Sequence, residues 1–303
     1  YPILNWNMGM TYRLRERDER VYPQGELARR TIGQVGDKGN YGVEYVLRDV
    51  LEGRDGKARR QRIARGFYGR VVGGDNSEPE DGLDVVTTLD LEMQDVADRA
   101  LRRQLEAQNA LWGTALVMEV ATGDLLAMAN LSRTKSGAYA EVKNHALSSR
   151  MEPGSTFKLA ALLALVDDAG MSLDETFDTG NGARVKVGRT TVQDSHGLPP
   201  LNLKDAVAHS SNVFFARAVY ETYKDDPERY VDYLRHLHLD RTVGLEEFGA
   251  VAPIFPAPGM KIWYPDVSIV NMGYGYAIEL TPLHTLTLYN AVANDGCMVA
   301  PRL

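Results

Sequence analysis

The sequence predicts an α+β protein, an antiparallel sheet with helices, preceded by a β-rich accessory module. Three observations carry this. Apolar residues recur at helical spacing in several segments after residue 90, one pair of strand-like runs flanks a tight turn at 114–131, and glycines break the first eighty or so residues into short pieces. A chain of 303 residues exceeds the usual size of one domain, so one large core plus a smaller module is expected. Its 44% hydrophobic and 25% charged residues match ordinary globular protein, which argues against extensive disorder.

From the N-terminus, RLRERDER, GDKGNYG, EGRDGKARR and FYGRVVGG read as extended, hairpin-like pieces with little core of their own. Acidic residues are interleaved with the basic ones, so these clusters read as a solvated face rather than a binding patch. DNSEPEDG (75–82) reads as a linker. This divides the chain into a module and linker at 1–82 and a second domain at 83–303. LDVVTTLD opens that domain as a β-rich run. Asp90 then caps a helix through LEMQDVADRALRRQLEAQ, with Leu91, Val96, Ala100 and Leu101 as its apolar stripe. TALVMEV (114–120), the turn ATGD and LLAMANL (125–131) form a β-hairpin.

A helix starts at Ser155 in STFKLAALLALVDDAG and ends at a glycine suited to its C-cap, with Leu159, Leu162, Leu163 and Val166 as its buried stripe. GNGARVKVGRTTVQDSHG is less regular. In LNLKDAVAHSSNVFFARAVYETY a polar SSN separates two helical patterns. YGYAIELTPLHTLTLYNAVANDG is a loop running into an amphipathic helix, with Thr281 and Pro282 at cap and first-turn positions.

Several function classes are disfavoured. A net charge of −7 argues against a general nucleic-acid binder. The single Cys297 can form neither an internal disulfide nor a metal cluster, and is expected to be a small, partly buried side chain. The six histidines show no paired-ligand spacing, so no metal is expected, and the lack of a phosphate loop or dinucleotide fingerprint leaves no cofactor to expect. No apolar run is long enough to span a bilayer, and the N-terminus does not read as a signal peptide. The protein is therefore soluble, or its anchor lies outside the sequence given.

The chemistry concentrates in EPGSTFK, residues 152–158. Pro153 and Gly154 prevent an earlier helix start, which places Ser155 in the first turn with Lys158 three residues on, on the same face. A serine hydroxyl is a weak nucleophile that needs a neighbouring base, and a desolvated lysine can serve. The helix N-terminus favours negative charge on the serine oxygen or on a nearby acyl oxyanion. By itself S-x-x-K is a weak pattern, most often a capping serine and a surface lysine. SSN at 210–212 strengthens it: a hydroxyl there can relay a proton, and an asparagine amide offers a donor and an acceptor to a peptide-like substrate. S-x-x-K and S-x-N are two parts of a known three-part signature of serine acyltransferases.

With those two motifs, RVYPQGELARRTIG, NYGVEYVLRDVLEGRDG, GLDVVTTLDLEMQDVADRAL, WGTALVMEVATGDLLAMAN and MGYGYAIELTPLHTLTLYNAVANDG, the chain resembles a class B penicillin-binding protein over nearly its whole length. The form of EPGSTFK and of the late loop is most similar to the cell-division-specific member. The resemblance implies a transpeptidase domain of the penicillin-binding and serine β-lactamase type behind a pedestal or dimerisation-like module. It implies that Ser155 attacks the D-Ala-D-Ala amide of a peptidoglycan stem peptide, that Lys158 takes its proton, and that Ser210 and Asn212 form the second catalytic wall. Glu152, Ser211, Tyr274 and Gly275 are the implied substrate-binding residues.

The partners implied are stem peptides and a lipid-linked precursor, β-lactam antibiotics, a membrane-embedded glycosyltransferase and other division proteins. A single anchor helix outside this sequence would hold the domains on the periplasmic or outer side of the cytoplasmic membrane. The departure is the third motif. No K-T-G or K-S-G occurs, and the sequence stops at NDGCMVAPRL, where the family proceeds toward it. Further C-terminal residues are the preferred explanation over loss of the motif, because a final buried strand would otherwise be missing from the core. Two alternative readings stand: a non-catalytic β-lactam receptor or division scaffold, and a class D-like serine β-lactamase or D,D-carboxypeptidase. Asp194 and His196 in TVQDSHG belong to no recognisable triad, and a structural or substrate-facing role is expected for them.

Overall fold

The computed structural model describes residues 21–36, 39–57, 60–64, 67–70 and 77–303. The expectation for RLRERDER, and part of those for the other arginine- and glycine-rich pieces, lies outside the described residues. In the N-terminal part, three short helices run over Arg29–Ile32 (α1), Gly42–Val46 (α2) and Arg48–Leu51 (α3), followed by an antiparallel hairpin of Arg60–Ala64 (β1) and Phe67–Arg70 (β2). The hairpin matches the β-rich expectation; the helical turns at 29–51 correct it. Residues 77–83, which overlap the expected linker at 75–82, are hydrogen-bonded to earlier residues. Ser77 pairs with Lys57, Glu80 with Arg54, and Leu83 N–H donates to Val50 O at 2.9 Å, so backbone hydrogen bonds bind this stretch to the first module.

LDVVTTLD is extended but belongs to no ladder, contrary to the β-rich expectation. It is held by single contacts instead: Thr88 Oγ1 donates to Leu125 O at 2.8 Å and Asp90 N–H to Leu126 O at 2.9 Å, while Val86 is 93% exposed. Asp90 does cap the helix Leu91–Gln108 (α4), accepting from Met93 N at 2.9 Å. The buried face differs from the expected stripe. Ala97 and Leu105 are buried, whereas Leu91 and Val96 are exposed. Gln94, which apolar spacing passes over, is buried because its Oε1 accepts from Met128 N at 2.7 Å.

Helix α4 packs on a three-stranded antiparallel sheet in the order β3-β4-β5, made of Trp112–Met118 (β3), Leu125–Arg133 (β4) and Tyr139–Ala140 (β5). The first two strands are the expected hairpin. A short helix, His145–Ser148 (α5), leads toward the EPGSTFK segment. His145 ties this passage to the sheet: Nε2 lies 2.7 Å from Ser132 Oγ, Nδ1 lies 2.8 Å from Ser149 Oγ, and the ring stacks on Trp112. Burial pushes this imidazole down to about 4, so it stays neutral between two hydroxyls.

The serine-bearing helix has three parts. A 3₁₀ turn at Gly154–Phe157 continues as Lys158–Leu163 (α6) and widens into one π turn at Ala164–Asp168. At that π turn the Tyr223 hydroxyl donates to Ala164 O at 2.8 Å and to Asp168 Oδ2 at 2.9 Å. The expected stripe is again displaced: Phe157, Ala160, Ala161, Ala164 and Leu165 are buried, and Val166 is exposed. Small alanines let α6 approach its neighbours closely, and Leu159, Leu162 and Leu163 cover the edges of the same cluster.

The remaining elements are short strands and helices wrapped on this core. Thr176–Phe177 (β6) pairs with Leu201–Asn202 (β9), and Val185–Val187 (β7) with Thr190–Val192 (β8). Leu203–Ala208 (α7), Asn212–Tyr223 (α8), Pro227–His236 (α9), Ser268–Met272 (α10) and Pro282–Ala293 (α11) follow. Phe214, Phe215, Tyr223 and Tyr230 are fully buried in the main cluster, and each such ring contributes roughly 2–3 kcal/mol of transfer free energy. Thr281 and Pro282 start α11 as expected, with His284 completing a capping box. Cys297 is exposed rather than partly buried, because it lies in the turn after α11.

Backbone contacts set the geometry around the serine. The loop before α11 is strapped to the EPGSTFK segment: Met151 and Leu280 exchange backbone hydrogen bonds at 3.0 and 2.9 Å, and Gly154 N–H donates to Gly275 O at 2.9 Å. Gly275 adopts φ +92, and a Cβ there would sit 1.9 Å from Gly154 O. On the other side of the domain, Glu141 Oε2 accepts from the backbone N–H of Arg30, in α1, at 2.7 Å, and its Oε1 from Asn130 N at 3.5 Å. Burial raises this carboxyl from 4.5 to about 7, against the opposing pull of the Arg30 and Asn130 N–H groups, with Asp98 adding to the rise and Arg102 opposing it.

Gly275→Ala is expected to displace Gly154 and, with it, Ser155. If Ser155 is the acylated serine that the resemblance implies, its reaction with a fluorescent penicillin should slow by about 100-fold, measured against a circular-dichroism spectrum that stays native. For Glu141, the folded state holds a proton that the unfolded chain has released between pH 4.5 and about 7, so its contribution to stability declines as pH rises through that window. Glu141→Gln mimics the protonated acid. It should match wild type in Tm near pH 5 and exceed it at about pH 8, by an amount corresponding to roughly 1–3 kcal/mol; equal slopes of Tm against pH would refute this.

Candidate active site

Lys158 is the point at which the site converges. It is the first residue of α6 and is 5% exposed. Its Nζ lies 3.1 Å from Ser155 Oγ, 2.5 Å from Ser210 O, 3.0 Å from Ser210 Oγ and 2.7 Å from Asn212 Oδ1. The spacing of three residues puts Ser155 and Lys158 on one face of the 3₁₀ turn, as the sequence predicts. Ser210 and Asn212 come from more than fifty residues away, Ser210 on the turn between α7 and α8 and Asn212 as the first residue of α8. All four expected catalytic residues therefore meet at one amine.

Burial pushes the Lys158 amine down to about 8, and the negative charge of Asp194 partly offsets that fall. The hydrogen-bond arithmetic suits an amine that exchanges a proton. Ser210 O and Asn212 Oδ1 can only accept, so they occupy two N–H groups in either protonation state. A neutral amine then has its lone pair left for a hydroxyl proton, whereas an ammonium has a third N–H for a hydroxyl oxygen. Ser155 and Ser210 supply those hydroxyls. Ser155 itself is exposed at the mouth of the site, open to a substrate while its base is sheltered.

The turn carrying Ser210 and Asn212 is built from local constraints. Ser210 takes a left-handed conformation, φ +52, which directs both its carbonyl and its hydroxyl to Lys158. Ser211 is fully buried and points the other way: its Oγ donates to Asp194 Oδ2 at 2.8 Å and accepts from Phe214 N at 3.0 Å, capping α8. Ser211 thus does not face the cleft as a substrate-binding residue would; the alternation of the turn sends its side chain into the protein. Asp194 Oδ1 also accepts from Asn212 N at 2.5 Å and from Val213 N at 3.2 Å.

Beside Asn212 lies an open groove lined by Glu152, Thr191, Gln193, Asn271, Tyr274 and Tyr276. Glu152 Oε1 accepts from Ala277 N at 3.0 Å, and the Tyr274 hydroxyl donates to Asn271 Oδ1 at 3.0 Å. Burial raises the Tyr274 phenol, with Tyr276 and Glu152 adding to the shift, so Tyr274 remains a neutral donor. Glu152 and Tyr274 therefore line a surface next to Asn212, while Gly275 acts through its backbone contact with Gly154. Sequence reasoning missed Gln193, Asn271 and Tyr276; the nearest signal was the polar and aromatic character of VQD and of NMGYGY. His196 makes no contact with the four residues at the amine; its Nδ1 lies 3.0 Å from Ser195 Oγ and its ring 6.5 Å from that of His209. Among the described residues no cluster of histidine, cysteine or carboxylate side chains is placed to hold a metal ion.

Residues 113–303 match the family described as the penicillin binding protein transpeptidase domain. The probable peptidoglycan D,D-transpeptidase PenA of Neisseria meningitidis is 27% identical over 292 residues, covering 93% of this chain and 48% of that protein. The penicillin-binding protein PbpB of Mycobacterium tuberculosis is 30% identical over 304 residues, covering 95% of this chain and 43% of its own length. The chain thus spans about half the length of the curated relatives it matches. Among solved structures, penicillin binding protein 3 of M. tuberculosis in complex with aztreonam superposes with a TM-score of 0.77 at 28% identity, over 94% of this chain and 60% of that one. The match to the family extends over more than half of the chain and contains every residue that meets at Lys158, and so this protein belongs to the penicillin-binding protein transpeptidase family, among its class B members.

Proposed function

We propose that the protein is a serine-type peptidoglycan D,D-transpeptidase that cross-links stem peptides through an acyl-enzyme on Ser155 and is inhibited by β-lactams. The observation that carries this is the buried Lys158 amine, 3.1 Å from Ser155 Oγ and held by two groups that can only accept. In this reading Ser155 Oγ attacks the carbonyl carbon of the penultimate D-alanine as its proton passes to the neutral Lys158 amine. The tetrahedral intermediate collapses with cleavage of the C–N bond. The departing D-alanine nitrogen takes a proton from Lys158 by way of the Ser210 hydroxyl, and an ester to Ser155 remains. An amine of a neighbouring stem peptide then attacks the ester carbon and gives a proton to Lys158 by way of Ser210; the ester C–O bond breaks, Lys158 returns the proton to Ser155 Oγ, and a new amide bond remains. Asn212 contacts the substrate amide, and Glu152 and Tyr274 line the groove that receives the peptide. A β-lactam enters the same first step, but its leaving nitrogen stays tethered.

The wording of EPGSTFK and of the late loop supports a septal role in cell division. A membrane anchor outside this sequence, a lipid-linked precursor, a membrane-embedded glycosyltransferase and other division proteins as partners belong to the same reading. No described helix is long and apolar enough to cross a membrane. The alternative reading, a β-lactam receptor or division scaffold without turnover, differs from this one in a single measurable respect, release of a cross-linked product.

In the complete gene product, a fluorescent penicillin should label wild type, and Ser155→Ala should abolish the labelling; retained labelling would sink the assignment. Turnover of a D-alanyl thioester with an amine acceptor separates the enzyme from the receptor, which would be labelled without releasing product. Because the neutral amine is the active form, the acylation rate should climb as pH rises through about 8, the value at which burial holds Lys158. Lys158→Gln should slow acylation by about 10²–10⁴-fold and remove that limb of the pH profile.

A further inference from the structure

We propose that Asp194 is a positioning residue for this chemistry: it touches no substrate, and acts on the reaction through Asn212 and Lys158. This rests on reading Ser155 and Lys158 as nucleophile and base. Asp194 is 6% exposed and follows β8. Its two oxygens accept from Ser211 Oγ, Asn212 N and Val213 N at 2.8, 2.5 and 3.2 Å. These three donors are consecutive residues, so a single carboxylate fixes the turn that presents Ser210 O, Ser210 Oγ and Asn212 Oδ1 to the amine.

Capping alone does not account for a carboxylate here. Helix α8 already has its cap in Ser211, whose Oγ accepts from Phe214 N at 3.0 Å. A neutral asparagine amide could accept from Asn212 N and Val213 N as well, without the cost of burying a charge. What the carboxylate adds is its negative charge behind the turn. Lys158 is otherwise surrounded by hydroxyls, a carbonyl, an amide and the Phe215 ring at 6.0 Å. Asp194 is the one charge acting on it among the described residues, and it forms no ion pair with Lys158 there. It therefore offsets part of the desolvation that favours the neutral amine, and keeps the lysine able to hold a proton between taking it from Ser155 and passing it on. A direct ion pair would do this too strongly and would occupy an N–H that the hydroxyls need.

Two variants separate charge from shape. Asp194→Asn keeps the shape and removes the charge; Asp194→Glu keeps the charge and lengthens the arm. The protonation midpoint of Lys158 is read by ¹³C NMR of the labelled lysine side chain, which needs no acylation and so stays informative even if Ser155 proves unreactive. Asp194→Asn should lower that midpoint by about one pH unit and move the acid limb of penicillin acylation down with it. Asp194→Glu should leave the midpoint in place but slow acylation roughly 10- to 100-fold, because the turn at 210–212 shifts. A midpoint that stays put or rises in Asp194→Asn overturns the proposal whatever the rate does. Should that variant fail to fold, an acylation rate in Asp194→Glu within about twofold of wild type overturns it.

Discussion

A lysine amine taken out of water must be given hydrogen bonds in place of those it has lost, and the way Lys158 recovers them organises this site. Its partners are a carbonyl, a side-chain amide oxygen and two hydroxyls, none of them charged. With a carboxylate in direct contact the amine would be locked as an ammonium; with too few acceptors it would be a buried, unsatisfied group costing a few kcal/mol. Uncharged partners backed by one more distant carboxylate leave it between these extremes. The rest of the domain serves to hold those partners in place.

That holding comes from opposite directions. The 3₁₀ turn and the start of α6 fix the serine and lysine relative to each other by local geometry alone. The opposing turn at 210–212 is fixed by Asp194 from below and by the burial of Phe214 and Phe215 at the start of α8. The loop at 274–280 presses on EPGSTFK from a third side, through backbone pairing that a side chain at Gly275 would prevent. Farther out, His145 joins Ser149, in the passage leading to that segment, to Ser132 of the sheet, and Glu141 joins the sheet to the N-terminal helices. The polar contacts at the edges of the site are thus continuous with the packing that stabilises the fold.

The helices expected from apolar spacing are present, yet the faces they bury are not always the ones that spacing picks out. In α4 the buried side includes Gln94, whose amide satisfies a strand N–H; in α6 it consists largely of alanines. Apolar periodicity weighs large aliphatic side chains most heavily, but a close helix contact selects small ones, and a strand N–H selects an acceptor. LDVVTTLD shows the same limit. Its β-branched composition suits a strand, but a ladder needs a partner strand, and there it finds isolated contacts to Val50, Leu125, Leu126 and Arg302 instead.

Within EPGSTFK, the sequence by itself determined the pairing of Ser155 with Lys158, because three residues along a helical turn bring two side chains together whatever the remainder of the fold does. Helix caps at Asp90 and Thr281, and the hairpin about ATGD, are local in the same sense. Only the tertiary structure decided that Ser210 and Asn212 face the lysine while Ser211 turns inward to Asp194, and that Gly275 matters through its backbone. Those outcomes depend on chain segments far apart in sequence, and on which side of a turn each side chain leaves. Such relations are set by packing and burial, which composition and spacing do not contain.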